Sequence, residues 1–189
     1  MRPDTDLFLW MSGGMSPSPW VLPVATLIAE WGPWLATAVL AWAAWKRPAQ
    51  RGYLFALLAM AGLTSMVSHG IAGAIGLPRP FMLGISPAHV GHGGSGALPS
   101  THAAVMGLVA LGLWVRPALR PWTTPAALAA LLTAWGRIYA GLHFPLDIVA
   151  GFVLSALALG AFWCLRWLVH RRVVPAFRRV QKSSTELRQ

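Results

Sequence analysis

Long apolar segments alternate with short polar or basic segments along most of the chain. Five of these segments approach the roughly 20 residues that an α-helix needs to cross a hydrocarbon layer about 30 Å thick. They cover residues 20–45, 53–77, 102–115, 123–142 and 144–168. The third is short and could begin before His102 or continue past Arg116. We therefore predict an all-α fold, an integral membrane bundle of about five transmembrane helices.

The two ends of the chain depart from this pattern. Residues 3–12 could form an interfacial helix that lies on the membrane surface. The N-terminal stretch MRPDTDLFLWMSGG lacks the basic start and long apolar centre of a signal peptide, so we expect no cleaved leader. Residues 173–189 are polar and basic, which favours a frayed or interfacial tail. We expect one membrane domain over residues 1–172 and a separate basic tail over residues 173–189.

Composition agrees with a membrane protein and argues against a soluble one. Apolar residues make up 56% of the chain and charged residues 11%, whereas a soluble domain carries about a quarter of its residues as Asp, Glu, Lys or Arg. The net charge of +10 raises nucleic-acid binding as an alternative. Most basic residues, however, lie in short clusters beside apolar segments, where they can meet anionic lipid headgroups. We expect membrane lipids as neighbours and no nucleic-acid partner.

The basic clusters also predict the orientation of the helices, because short cytoplasmic loops are enriched in Lys and Arg. They lie beside the ends of the first, third and fifth segments, at Lys46, Arg47, Arg51, Arg116, Arg120, Arg166, Arg171, Arg172, Arg178, Arg179 and Lys182. All three groups fall on one side, which we assign to the cytoplasm together with the C-terminus. The other side carries the N-terminus, residues 78–100 and residues 137–143. Arg79 and Arg137 lie there against the bias and need another explanation.

Three short clusters on this second side contain the residues that can carry chemistry. They are LPRPF at 77–81, LPSTHA at 98–103 and GRIYAGLHFPLD at 136–147. Phosphoryl transfer needs cations or N–H donors for the equatorial oxygens, a nucleophile, and an acid for the leaving oxygen. The two Arg, one Ser, two His and one Asp of the clusters supply all three.

In the third cluster, Pro145 fits the first turn of a helix, which places His143 at the helix start and Asp147 four residues later. A carboxylate bonded to one ring nitrogen fixes the histidine tautomer and leaves the other nitrogen to attack phosphorus. Arg137 is close enough for the turn to bring its guanidinium to the same phosphate. The alternative is a His–Asp pair with a structural role only.

In the second cluster, Ser100 and His102 lie where loop becomes helix, so the amide groups of the helix start can point at an anion. Ser100 could add its hydroxyl as a donor, and His102 could protonate the departing oxygen. Ser100 could instead be only a helix cap, and the turn around Arg79 only a turn. No close HxxxH or HxH pair supports a zinc site. We expect no metal and no cofactor.

The three clusters resemble the tripartite signature of the type 2 phosphatidic acid phosphatase superfamily. The matching residues are Arg79-Pro80, Pro99-Ser100-Thr101-His102, and Arg137 followed by His143 and Asp147. The resemblance implies a metal-independent membrane phosphatase in which His143 is the nucleophile, Asp147 its orienting partner and His102 the general acid. It implies that the phosphate is held by Arg79, Arg137, Ser100 and Thr101.

Two positions depart from that signature. The family usually has Lys where Ala72 stands and Gly where Thr101 stands. Within the superfamily, bacterial undecaprenyl-diphosphate phosphatases often lack the Lys and contain stretches similar to PRPFMLG and RIYAGLHFPLD. Similarity to this subgroup implies hydrolysis of undecaprenyl diphosphate to undecaprenyl phosphate and phosphate, in the bacterial inner membrane, at a site facing the periplasm or exterior.

Alternatives to this function remain open. The lipid substrate could be phosphatidylglycerophosphate, phosphatidate or a lipid A phosphate, and the phosphate could pass to another lipid instead of water. A transporter or lipid-binding protein that keeps the fold without the activity is the alternative of another class. The oligomeric state does not follow from the sequence.

Two further residues are candidates for accessory roles. His92, seven residues before Pro99, could replace the lost cation or contact a second phosphate, and we give His69 and His89 less weight. Glu30 is the carboxylate inside the first apolar segment, where burial requires a partner or a raised pKa. It could face the site, but we favour a bond to another helix.

Overall fold

A computed structural model of the chain describes residues 3–91, 93–169 and 171, and these contain helices and loops but no strand. The α-helices are α1 (Pro3–Met11), α2 (Val21–Lys46), α3 (Arg51–Ile75), α4 (Thr101–Trp114), α5 (Thr123–Tyr139) and α6 (Pro145–Leu168). Short 3₁₀ helices occupy Pro48–Gln50, Pro80–Leu83 and Pro117–Trp122. The all-α prediction is confirmed, and α2 to α6 follow the five predicted segments. The predicted tail, residues 173–189, lies outside the described residues.

The long helices have the length and surface of membrane helices. Within the described part of the chain, three segments are long and apolar enough to cross a membrane, namely Val21–Lys46, Pro48–Leu83 and Pro145–Leu168. Helix α4 is apolar but has only 14 residues, or about 21 Å at 1.5 Å per residue. Large apolar side chains such as Trp34, Met66 and Leu157 are 67%, 72% and 64% exposed, a surface that suits lipid. How many helices cross the whole bilayer stays a prediction.

Helix α4 forms the centre of the bundle, since most of its residues are buried and it packs against α3, α5 and α6. Two side chains hydrogen-bond its backbone from neighbouring helices. The Tyr53 hydroxyl donates to the Gly112 carbonyl at 2.7 Å, and the Ser155 hydroxyl donates to the Ala104 carbonyl at 2.7 Å. In a lipid environment such polar contacts add to van der Waals packing between helices.

Helices α2 and α5 approach each other closely at Gly136. A Cβ at this position would lie 2.7 Å from the Ala25 carbonyl oxygen, so only glycine fits without a shift of the backbone. The close approach brings the first half of α2 beside the last turn of α5 and the residues that follow it.

The basic loops lie together at one end of the bundle. The Arg116 guanidinium lies 4.3 Å from the centre of the Tyr53 ring, and the Arg47 guanidinium lies 5.9 Å from the centre of the Trp122 ring. Because α3 and α5 end where α4 and α6 begin, the three chemistry-bearing clusters lie together at the opposite end. The assignment of the two ends to the two sides of the membrane stays a prediction.

Helix α1 packs against the beginning of α6. Phe8 is fully buried, and its ring lies 5.2 Å from the Phe144 ring in an edge-to-face arrangement. The Asp4 carboxylate accepts a hydrogen bond of 3.0 Å from the Leu146 N–H, in the first turn of α6. A short N-terminal helix is therefore confirmed at almost the predicted residues, and it contacts the segment that carries His143 and Asp147.

Candidate functional site

The three sequence clusters meet around a cavity of about 120 Å³ at the end of the bundle away from the basic loops. The predicted site residues that line it are Arg79, Thr101, His102, Arg137 and His143. The remaining wall comes from the last turns of α3 and from the loop that joins α3 to α4. The cavity therefore gathers residues that are far apart in the sequence.

His143 and Asp147 take the positions that Pro145 predicts, because α6 begins at Pro145. His143 is only 2% exposed, and its Nδ1 lies 3.5 Å from Oδ2 of Asp147. The same carboxylate oxygen accepts a 2.8 Å hydrogen bond from the Phe144 N–H. The helix start therefore holds the carboxylate beside Nδ1 of the imidazole.

The turn between α5 and His143 depends on Gly141. Its φ of +77° lies in the left-handed region that favours glycine. A Cβ there would also collide with the carbonyl oxygen of Pro87. Within the same turn, the Leu142 N–H donates to the Arg137 carbonyl at 3.0 Å. This turn sets the distance between the guanidinium at the end of α5 and the imidazole before α6.

Arg79 connects the α3–α4 loop to His143. Its guanidinium donates to the Ser95 carbonyl at 2.8 Å, the Gly96 carbonyl at 3.0 Å and the Leu142 carbonyl at 3.0 Å. Its Nη1 also lies 3.0 Å from Nε2 of His143. Most of this guanidinium is used to hold the backbone, and one edge faces the imidazole.

Arg137 is buried to a similar degree but makes weaker contacts. It is 3% exposed, and its nitrogens lie 3.4 Å from Nε2 of His143, 3.4 Å from Nε2 of His102 and 3.4 Å from the Ala29 carbonyl. Its Nε has no hydrogen-bond partner among the described residues. Neither Arg79 nor Arg137 forms an ion pair with a carboxylate in the described part of the chain. Buried charges are normally paired, so the cavity has the character of an anion site.

These contacts assign the tautomer of His143. A guanidinium can only donate hydrogen bonds, so Nε2 beside Arg79 and Arg137 must accept. In the neutral ring the proton then lies on Nδ1, on the side of Asp147. The lone pair of Nε2 consequently faces the two guanidinium groups and the cavity.

The second cluster is only partly in the cavity. His102 is half-buried in the first turn of α4, and the Thr101 hydroxyl lies 2.8 Å from the Ser68 hydroxyl. Ser100 occupies the N-cap position but makes no capping hydrogen bond with its side chain. It is fully buried, its hydroxyl has no hydrogen-bond partner among the described residues, and it does not line the cavity. Its predicted contact with phosphate is not tested.

The accessory candidates fall in different places. His69 lines the cavity, although we expected less of it than of His92; its helical spacing of three residues from Ala72 was the available signal. His89 instead contacts the Gly14 carbonyl at 3.1 Å, and His92 lies outside the described residues. Glu30 is exposed, does not line this cavity, and makes no ion pair or side-chain hydrogen bond with the described residues.

No group of three or more His, Cys, Asp or Glu side chains that could hold a metal ion occurs among the described residues. The cavity instead presents guanidinium and imidazole groups, which suit a phosphate.

Known proteins resemble this chain in sequence and in fold. A curated relative from Escherichia coli (strain K12), named "Putative undecaprenyl-diphosphatase YbjG", is 28% identical over 154 residues, covering 78% of this chain and 74% of the relative. The crystal structure of Aquifex aeolicus LpxE matches with a TM-score of 0.64 at 20% identity, over 82% of this chain and 93% of that chain.

A second solved structure is the transmembrane PAP2-type phosphatidylglycerolphosphate phosphatase from Bacillus subtilis. It matches with a TM-score of 0.61 at 22% identity, over 89% of this chain and 85% of that chain. These two structures support the membrane helical fold. The family model of the PAP2 superfamily matches residues 53–171, which include all three clusters around the cavity. The chain therefore belongs to the PAP2 superfamily and is a membrane phosphatase of that type.

Proposed function

We propose that this chain hydrolyses a lipid diphosphate, undecaprenyl diphosphate in particular, through a phosphohistidine at His143. One observation carries the proposal. Two buried guanidinium groups, without a carboxylate ion pair among the described residues, converge on Nε2 of a histidine whose other nitrogen faces Asp147. A phosphoryl group placed between Nε2 and the guanidiniums would meet a nucleophile and two cations together.

The first chemical step is attack of the Nε2 lone pair of His143 on the terminal phosphorus. A P–N bond forms while the bond between that phosphorus and the bridging oxygen breaks, and the electron pair leaves with the lipid phosphate. His102, which lines the same cavity, gives the proton that the leaving oxygen takes up. The ring of His143 becomes positive, and the carboxylate of Asp147 stabilises that charge.

The second step is hydrolysis of the P–N bond. His102 has lost its proton and can now accept one from a water molecule that attacks the phosphorus. The electron pair of the P–N bond returns to Nε2, inorganic phosphate leaves, and both histidines regain their starting states. Arg79 and Arg137 stabilise the equatorial oxygens in both steps.

The choice of undecaprenyl diphosphate rests on sequence similarity. The name of the Escherichia coli relative includes undecaprenyl-diphosphatase, and that subgroup often lacks the Lys in whose place Ala72 stands. The basic end of the bundle favours a cytoplasmic position for the C-terminus. The cavity would then face the periplasm or exterior of a bacterial inner membrane.

The test is phosphate release by detergent-purified protein from undecaprenyl diphosphate, phosphatidylglycerophosphate, phosphatidate and lipid A, with a metal chelator present. We expect undecaprenyl diphosphate to have the highest kcat/KM and His143→Ala to abolish release. Wild-type protein quenched during turnover with labelled substrate should carry acid-labile, base-stable phosphate, and His143→Ala should carry none. The His89→Ala variant is the control, because His89 lies outside the cavity.

Other results would support a different substrate, mechanism or role. Preference for another lipid would keep the phosphohistidine chemistry and replace the substrate. Loss of activity in chelator would contradict the metal-independent mechanism. A folded wild type that hydrolyses no lipid of the panel would favour a binding or transport role.

A further inference from the structure

Helix α3 carries a histidine at the place where the cavity opens sideways. His69 lines the phosphate cavity and also a neighbouring groove of about 380 Å³ between α2, α3 and α4. The groove wall is mostly apolar and includes Pro33, Leu58, Ala61 and Met106. A phosphorylated lipid that places its terminal phosphate at His143 would therefore place its chain in the groove and the intervening part of its headgroup beside His69.

We propose that His69 binds the phosphate that stays on the lipid, and so makes this site select diphosphates over monophosphates. The inference rests on the proposed function and deepens it. Thr101 and His102 also belong to both the cavity and the groove, so they lie at the same boundary. The leaving phosphate, which takes its proton from His102, would lie at this boundary.

The ring of His69 is held in a suitable orientation. Its Nδ1 lies 2.8 Å from the Ser65 carbonyl, one turn earlier in α3. A carbonyl only accepts, so Nδ1 carries a proton and Nε2 is the nitrogen that remains for a ligand. A phosphate oxygen is an acceptor, so it can take a hydrogen bond from Nε2 of the doubly protonated ring.

The position of His69 also accounts for the departure at Ala72. Both residues line the cavity, but the methyl group of Ala72 offers no charge to a phosphate. His69 precedes Ala72 by three residues, close to one helical turn and about 4.5 Å along the axis. A cation at His69 is therefore displaced along α3 toward the groove, away from the terminal phosphate and toward the second one.

A structural role does not explain the ionisable side chain of His69 at its position within α3. His69 lies six residues before the end of α3, or about 9 Å along the helix axis. It is exposed, and ionisable side chains within membrane helices are costly and mark substrate pathways. Its hydrogen bond to Ser65 stays within one helix and joins no second element.

The experiment compares farnesyl diphosphate with farnesyl monophosphate, which share one chain and differ by one phosphate. We expect His69→Ala to lower kcat/KM for the diphosphate about tenfold, the size of one charge-assisted hydrogen bond. The loss should lie mainly in KM, and kcat/KM for the monophosphate should change less than about twofold. His69→Gln, whose amide can place an N–H near the position of Nε2, should recover part of the diphosphate activity.

Met66→Ala is the matched control, since Met66 lies on α3 near His69 and faces outward at 72% exposure. It should leave both substrates unaffected. Equal losses on the two substrates, or no loss on either, would overturn the role of His69 while the proposed function stands. If the wild type hydrolyses neither compound nor any lipid of the earlier panel, the proposed function itself fails. Should His69→Ala fail to fold, the ratio of the two substrates in His69→Gln decides the question.

Discussion

Replacing Arg137 by methionine should raise the stability of the protein while abolishing its activity. The guanidinium is 3% exposed, yet it lies 3.4 Å from each of the Ala29 carbonyl, His102 and His143, and its Nε has no partner among the described residues. Contacts of that length are near the limit of a hydrogen bond. They do little to offset the loss of hydration that a buried charge suffers. Methionine fills a similar volume and carries no charge.

The expected rise in stability of Arg137→Met combines the gain from removing a buried charge with the loss of one hydrogen bond. Replacing a buried ion pair by apolar residues of similar volume often stabilises a protein by about 1–4 kcal/mol, and a buried charge without such a partner is costlier still. We expect a value near the lower end, about 1–2 kcal/mol, because the contact with the Ala29 carbonyl is lost. That corresponds to a rise in Tm of about 2–8 °C for a chain of this size. Inorganic phosphate at 100 times its Kd should stabilise the wild type by about 2.7 kcal/mol and the variant far less.

Arg79→Met should have the opposite effect on stability. Arg79 donates to the carbonyls of Ser95, Gly96 and Leu142 at 2.8–3.0 Å, and its removal breaks all three bonds and leaves the buried Leu142 carbonyl without this partner. A buried acceptor that loses its partner costs about 1–3 kcal/mol. We expect a loss of at least about 2 kcal/mol, together with loss of activity.

Both effects can be measured by thermal unfolding in detergent, followed by tryptophan fluorescence, with and without inorganic phosphate. Arg120→Met is the control, since Arg120 is exposed at the basic end of the bundle and should not alter the response to phosphate. A lowered Tm for Arg137→Met, comparable with that of Arg79→Met, would refute the assignment of Arg137 as an unsatisfied anion-binding group. So would full stabilisation of the Arg137→Met variant by phosphate.

Three further changes test the surroundings of His143. In Asp147→Asn the amide oxygen can keep the contacts of Oδ2 with the Phe144 N–H and with His143, so only the charge is lost. We expect kcat to fall about 100-fold, the size of one transition-state contact, and the Tm to stay unchanged. Gly141→Ala should cost about 1–3 kcal/mol in unfolding free energy, because φ is +77°, whereas Gly91→Ala, with open space around it, should cost little. Phe8→Ala removes a fully buried ring beside Phe144 and should lower the free energy of unfolding by about 3–5 kcal/mol. An unchanged Tm would show that α1 does not support the start of α6.

Local patterns were enough to predict the helices and the central pair of the site. The apolar segments matched α2 to α6, because a helix in a membrane must satisfy its backbone internally and cover its length with apolar side chains. His143 and Asp147 could be placed because Pro145 marks a helix start and four residues return to the same face. Both inferences rely on residues that are close in the sequence, within a single helix or a single helical turn.

Contacts between distant segments could not be predicted in this way. We ranked His92 above His69 from the sequence, because a loop histidine precedes the second motif in the subgroup that the chain resembles, and the role of His92 stays a prediction. The rotation of α3 decides which of its residues face the cavity, and that depends on packing against α4. The docking of Phe8 and Asp4 on the start of α6 joins residues separated by more than 130 positions. The backbone bonds of Arg79 depend likewise on the path of the loop.

The site has His69 and Ala72 on α3, but not the lysine that the family usually has at position 72. This difference changes the positive charge around the phosphate cavity. Arg79 and Arg137 already lie near one imidazole, with Asp147 as the carboxylate on its other side. A permanent third cation would add repulsion among charges that burial already disfavours. The Nδ1 proton of His69 is directed to the Ser65 carbonyl, which leaves Nε2 as the nitrogen that can contact a second phosphate. Ala72→Lys should then lower the Tm of the free protein and reduce the preference for diphosphate over monophosphate, because the lysine would add a positive charge nearer the terminal phosphate.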